Sequence, residues 1–243
     1  MKTFLKLLLL FSVFGYLVFA VVRYSTADNP NVCKSVSIEV SDSVHSNLVT
    51  AEGIEKTLRD THLYPVGIPM VEIDPLTIAH TLEKDSFIQH VLCVETPGDH
   101  VLIVINQRIP LLRVLADNGD DYFIDEKGTI MASADYKVDV AVATGHIDHT
   151  FAKKQLREMG DFIRQSAFWN QQVEQIHVLQ NGDVDLIMRV GEQVVHFGKV
   201  EDIDLKFRKL YAFYTTIMPK VGWKRYSELN VAFSNQVIAK KNK

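Results

Sequence analysis

The feature that most constrains this chain is its beginning: a basic head and one apolar run, with no second run like it. Lys2 and Lys6 precede residues 7–22, sixteen residues without a charge, and Arg23 closes the stretch. Positive charge ahead of a lone apolar helix keeps the head in the cytoplasm, so the remaining 220 residues are expected on the far side of the membrane. A spanning helix wants about 20 apolar residues, and a signal-peptide core is shorter at about 7–15. Residues 4–22 reach nineteen if Lys6 bends its ammonium back to the interface. A cleaved signal competes with this anchor, because Val18-Phe19-Ala20 and Ser25-Thr26-Ala27 both offer residues that a signal peptidase accepts. Either way the product is exported.

Charge then narrows the partners. Removing Lys2, Lys6 and Arg23 from the 26 basic residues leaves 23 against 30 acidic ones, a net of about −7. Such a surface has no basic field to attract nucleic acid. Cys33 and Cys93 are the two thiols. They either pair in an oxidising compartment or stay apart as partly buried thiols, and two cysteines do not make a disulfide framework.

The exported part divides by texture. Residues 24–32 are polar, contain Pro30 and read as a tether. Val36, Ile38 and Val40 alternate as in a strand, and Ile54 and Leu58 lie one helical turn apart. Asp74-Pro75 predicts a helix start, with aspartate as N-cap and proline in the first turn; Leu76, Ala79 and Leu82 form its apolar stripe. Strands near 88–95 and 101–106 flank Thr96-Pro97-Gly98-Asp99, a turn with glycine at its third position. The order is β-α-α-β-β.

Beyond residue 114 strands dominate. Residues 122–131 read as a hairpin whose loop ends on Gly128, and 138–143 alternate as a strand. Residues 151–168 carry a helical stripe through Leu156, Met159, Phe162 and Ile163. Strands follow at 173–180, 184–190 and 193–198, with tight turns at Asn181-Gly182 and Gly191-Glu192. A second helix, 203–217, stacks Leu205, Leu210, Phe213 and Ile217, and a long terminal strand covers 229–238. The fold class expected is α+β: an N-terminal transmembrane helix, a β-α-α-β-β domain, then a mixed β domain with two flanking helices and a C-terminal strand.

This pattern resembles the FtsQ/DivIB family of bacterial cell-division proteins, whose members have a short cytoplasmic head, one span, a POTRA domain and a C-terminal β domain. Four stretches carry the resemblance. Gln107-Arg108-Ile109-Pro110 matches the exit from the POTRA domain, and residues 122–128 match a hairpin with an Asp/Glu-x-Gly turn. Val142-Ala143-Thr144-Gly145 resembles a strand ending in Thr-Gly, without the usual proline. Residues 198–210 followed by 226–240 resemble the link from the last helix to the terminal strand. The arginine of the family's Asp-Leu-Arg-Tyr core has no counterpart in residues 228–233.

The resemblance implies a head at 1–6, a span at 7–23, the tether at 24–32, a POTRA domain at 33–113 and a β domain at 114–243. It implies an inner-membrane, single-pass protein with periplasmic domains, enriched at the septum. It also implies no catalysis and no cofactor: a scaffold recruiting small single-span coiled-coil proteins of the FtsB/FtsL type, with other divisome contacts through the span and the POTRA domain. The residues offer a surface for this. In the terminal strand Leu229, Val231 and Phe233 point one way, and Asn230, Ala232, Ser234 and Gln236 the other, with no charge or proline to blunt the edge. Trp223 and Tyr226, upstream, are types enriched at binding hot spots. Core packing in the β domain is the favoured role for Leu229, Val231 and Phe233, and the backbone edge with the small outward residues then carries the interface.

Competing chemistry is thin. His146 and His149, with Asp148 between them, have metal-ligand spacing, yet no third ligand is indicated, and a loop with a helix N-cap at Asp148 or His149 explains them as well. Glu192 with Glu201, or Asp202 with Asp204, are pairs expected by chance among thirty acidic residues. Phe168-Trp169 reads as core rather than as a ligand platform. Phosphate loops, nucleophile elbows and Cys-x-x-Cys pairs are missing. The rival readings are an exported POTRA-type module for outer-membrane assembly and an exported metal-dependent enzyme.

Overall fold

The computed structural model describes residues 11–21, 31–41, 48–132 and 138–242. Residues 11–21 are helical (α1). The head at 1–6, most of the tether and the ends of the expected span at 7–23 lie outside the described residues. Among the described residues no helix is long and apolar enough to cross a membrane.

The rest forms two compact units. The first carries β1 (Ser35–Ser41), α2 (Ala51–Asp60), a short 3-10 turn (Met70–Glu72), α3 (Pro75–Leu82), β2 (Ile88–Thr96) and β3 (His100–Gln107), with sheet order β1-β3-β2. This is the β-α-α-β-β order read from the sequence. Asp74 caps α3 as its position suggests, accepting from the Leu76 amide at 3.0 Å and the Thr77 hydroxyl at 2.5 Å. The apolar stripe of α3 differs from the expected one. Ile78 and Leu82 are buried, whereas Leu76 points outward. Ile54 and Leu58 of α2 are buried as well, as are Val101, Ile103 and Ile105 of the central strand. Both cysteines are free thiols; Cys33 is buried, and burial pushes the Cys93 thiol up to about 11.

The second unit takes in 40–50, 83–90 and 106–243, so the boundary crosses the ends of β1, β2 and β3, and it is built on a nine-stranded sheet. Its strands are β4 (Pro110–Ala116), β5 (Asp121–Asp125), β6 (Ile130–Ala132), β7 (Val142–Gly145), β8 (Val173–Val178), β9 (Val184–Met188), β10 (Val194–Gly198), β11 (Tyr226–Asn230) and β12 (Ile238–Lys241). Their order is β12-β11-β10-β9-β8-β7-β4-β5-β6, so β12 and β6 are the two edges. Hairpins make the β4/β5, β5/β6, β8/β9, β9/β10 and β11/β12 pairs antiparallel, while β4/β7, β7/β8 and β10/β11 run parallel.

Helices supply two of the parallel crossovers, β7 to β8 and β10 to β11, while β4 and β7 are linked through β5 and β6. Asp148 caps α4 (His149–Phe151), accepting from the Phe151 amide at 2.7 Å; a π segment (Ala152–Leu156) continues into α5 (Arg157–Gln165). Ser166 stops α5 and caps α6 (Ala167–Gln172). The second crossover is α7 (Ile203–Ala212), a π segment (Phe213–Ile217) and α8 (Met218–Val221). Its buried face is Ile203, Phe207, Leu210, Tyr214 and Met218, not the expected Leu205, Leu210, Phe213 and Ile217. Ile203, Phe207, Leu210 and Tyr214 follow regular 4-3-4 helical spacing, which leaves Leu205 on the outer side. Phe207 sits at the centre of this core, stacked on Phe162 at 4.9 Å and packed against Trp169 at 4.9 Å and Phe197 at 5.2 Å. Trp169 is therefore core, as its junction position suggests.

Gly145 is fixed by close approach. Its φ is +98°, and a Cβ there would lie 2.2 Å from the Val178 carbonyl oxygen. Only glycine lets β7 turn away at this point of the β7/β8 pair.

Candidate partner-binding edge

The terminal segment is a hairpin, which corrects the single strand expected over 229–238. β11 runs parallel to β10 with Val195 opposite Leu229, and the Val231 amide adds one more bond to the His196 carbonyl at 3.0 Å. Asn230 then ends the strand: its side-chain oxygen accepts from the Ala232 amide at 3.0 Å, a local turn that competes with the ladder. The chain reverses over 231–237 and returns as β12, with Asn230 opposite Ile238 and Leu229 opposite Ala239.

The open edge of the sheet is thus β12, four residues long. Residues 230–236 form the turn above it. The edge is also less bare than expected, because Lys240 and Lys241 lie on it, and lysine is one means of discouraging unspecific strand pairing. Lys240 is held across the hairpin, with Nζ 2.6 Å from Glu228 Oε1. Its hydrogen bond holds the Glu228 carboxyl below the usual range. The other side of Glu228 faces His196 Nε2 at 3.6 Å, and His196 Nδ1 meets Asp185 at 2.8 Å.

The candidate residues separate into supports and presented groups. Leu229 and Val231 are fully buried and belong to the core. Phe233, by contrast, is 51% exposed. Ala232, Ser234 and Gln236 are exposed, and Asn230 is half-buried with its carbonyl oxygen occupied. Tyr226 is partly buried, edge-on to Phe213 at 5.6 Å. Trp223 leans on the buried Tyr214 ring at 5.4 Å, and its carbonyl accepts from Gln193 Nε2 at 2.6 Å. Phe233 and Trp223 are therefore partly exposed aromatics on either side of β11 in sequence.

Two lysines missed by sequence reading shape this turn. Lys209, on α7, donates to the Val231 carbonyl at 3.0 Å and also to the Phe233 carbonyl. Burial pushes the pKa of Lys209 down, though Asp202 opposes this. Lys206 is buried, donates to the Lys199 carbonyl at 2.7 Å and lies 4.9 Å from the centre of the Phe197 ring. A cleft of about 270 Å³ runs here, lined by Lys199, Lys206, Lys209, Ala232 and Ser234 among others. Gly198 permits the approach, since a Cβ on it would come within 2.9 Å of the Ala232 Cβ. The signal available in the sequence was the basic spacing along α7, which by itself reads as a solvated helix face.

The other candidates stay apart. His149 Nε2 lies 3.4 Å from Asp120 and its ring is edge-on to Tyr122 at 5.3 Å, while the His146 amide bonds the Val178 carbonyl. No group of three potential metal ligands converges among the described residues. Asp204 is paired with Arg208 at 2.7 Å, and Asp202 sits in a left-handed conformation at the start of α7.

What the edge can do is bind: it offers a short ladder of backbone groups, flanking aromatics and a pinned turn. A family model described as FtsQ/DivIB, C-terminal related, matches residues 109–240. A POTRA-like domain model matches residues 31–106. No curated protein matches the chain.

Proposed function

The chain belongs to the FtsQ/DivIB family, and on that premise we propose that it is a single-pass scaffold of the bacterial divisome that recruits small single-span coiled-coil proteins of the FtsB/FtsL type. The two matched models are of non-enzymatic scaffold types, and the family is membrane-anchored, septal and engaged with other division proteins in general. The finer reading is ours. Residues 7–23 hold the chain in the inner membrane with the head in the cytoplasm, and the folded units lie in the periplasm. The partner adds a strand to β12, and Trp223, Phe233 and the exposed residues of the 230–236 turn contact it beside that strand.

The observation that carries this reading is the open edge of β12, closed on its other side by β11. An added strand would satisfy its outward backbone groups, and the buried Leu229 and Val231 hold the hairpin that presents it. Photo-crosslinking in cells tests it. Probes at 232, 234, 236 and 238 are expected to trap one or two small membrane proteins. Adducts confined to positions in 31–106 would overturn the terminal-edge assignment.

A further inference from the structure

The chain enters its first unit along a loop that is unusually apolar on its outside. Val32 bridges Pro69 in antiparallel fashion, and the Asn31 carbonyl accepts from the Met70 amide at 2.7 Å. Cys33 makes two further bonds, its amide to the Ile68 carbonyl and its carbonyl from the Gly67 amide, each at 2.8 Å. Residues 31–33 are therefore zipped onto 67–70. On and beside this zipper stand Val71, 87% exposed, and Leu76, 69% exposed, with Val32 and Val66 also exposed.

One exposed aliphatic residue on a loop is ordinary. Four on residue 32 and the paired stretch 66–76, where the chain enters the unit, form an exposed aliphatic rim that water disfavours. Helix α3 reinforces the point, since it turns Leu76 outward while burying Ile78 and Leu82. Ten peptide steps separate residue 21, the last described residue of α1, from Asn31, so Asn31, where the rim begins, lies within about 35 Å of that helix end.

We infer that the rim of Val32, Val66, Val71 and Leu76 rests in the lipid headgroup layer, a second membrane contact made by the first unit beside its tether. The inference rests on the anchored reading above. The occupant is a lipid surface because the attachment point and the short tether hold the rim near one. The contact is apolar rather than electrostatic: the flanking carboxylates are Glu72 and Asp74, and Asp74 is engaged in capping α3. Aliphatic side chains of this size enter the boundary between headgroups and acyl chains without needing anionic lipid.

The test uses the full-length chain reconstituted in phosphatidylcholine vesicles, with Val71→Cys carrying a bimane label. Cys33 is buried and the Cys93 thiol is held protonated, so the unsubstituted chain gives the labelling background. Doxyl groups placed just below the headgroups are expected to quench the label at least twofold. A label at Leu92→Cys, an exposed aliphatic position on β2, is expected to be quenched less. The same result is expected when phosphatidylglycerol is added. Quenching no greater than at position 92, quenching only with anionic lipid, or a disulfide-linked dimer through position 71 in place of quenching would each overturn the inference. Alkaline carbonate separates the two readings: retention in the membrane without quenching removes the rim contact alone, whereas release of the chain removes the anchor and the rim together.

Discussion

Asp125→Asn isolates one buried charge pair in the second unit. Asp125 is 3% exposed, and its carboxylate accepts from Arg108 Nη1 at 2.9 Å, from the Lys127 amide at 2.9 Å and from the Thr129 amide at 2.7 Å. Arg108 in turn donates from Nε to the Ser86 carbonyl at 3.0 Å. Asparagine keeps its one oxygen for the two turn amides and so sets its NH2 group before the guanidinium. Leaving one member of a buried ion pair uncompensated costs about 3–5 kcal/mol. Because both amide bonds survive, the Asn variant belongs near the low end, about 3 kcal/mol. Asp125→Ala also strands two backbone donors, at about 1 kcal/mol each, and is expected to lose about 5 kcal/mol.

The pH dependence gives an independent check on this assignment. Burial pushes the Asp125 carboxyl up, but hydrogen bonds from Arg108 and Thr129 outweigh it and hold the group below its usual value. A depressed carboxyl adds stability above its unfolded pKa of about 3.9, and that stability is lost as pH falls through the lower folded value. The gap between wild type and Asp125→Asn should therefore be full at pH 7 and shrink below about pH 4. Urea unfolding followed by the fluorescence of Trp169 and Trp223, both in this unit, reads it directly. With a slope of about 2 kcal/mol/M, the midpoint falls by about 1.5 M at pH 7. A loss under 0.5 kcal/mol at pH 7, or an undiminished gap at pH 3, would refute the pairing argument.

Phe233→Ala is expected to fold within about 1 kcal/mol of wild type, because the ring is half exposed, yet to weaken partner capture about tenfold or more in a pull-down titration. Leu229→Ala, by contrast, hollows the core and should cost about 2–5 kcal/mol by the same urea assay. Gly145→Ala should lower thermal stability by more than about 2 kcal/mol through its positive φ and its clash with the Val178 carbonyl; a calorimetric change under 0.5 kcal/mol would contradict the close approach. Lys209→Met should speed amide exchange in residues 231–237 while leaving exchange in β7 and β8 unchanged, since the lysine acts on two carbonyls of the turn.

The parts legible in the sequence are those set by neighbours along the chain. Alternation at Val36, Ile38 and Val40, the Asp74-Pro75 start and the Asn181-Gly182 turn each depend on a few adjacent residues, and each stands where local chemistry puts it. β4 carries no strand signature in the sequence. Its run through Leu111, Leu112 and Val114 follows a proline and lacks alternation, because β4 is an inner strand that pairs with β5 on one side and parallel with β7 on the other. Nothing within those seven residues announces partners that lie so far along the chain.

The binding edge shows the same division within one segment. Period-two patterning continues past Asn230 through Val231 and Phe233, so the sequence favours one long strand there. Two interactions end it. The Asn230 side chain draws in the Ala232 amide, a local event that an asparagine in a strand can signal. Lys209 then ties the Val231 and Phe233 carbonyls from more than twenty residues upstream, an event no local window contains. The consequence is functional. A straight strand would have offered residues 229–238 as the edge, whereas the hairpin buries Leu229 and Val231, lifts Phe233 into solvent and moves the open backbone to β12. Candidate residues first grouped by alternating faces are thus regrouped by depth, with buried supports in β11 and presented side chains in the turn. If the proposed edge is the binding site, partner capture should depend on α7 as well as on the terminal residues, because α7 carries the lysine that ties the turn.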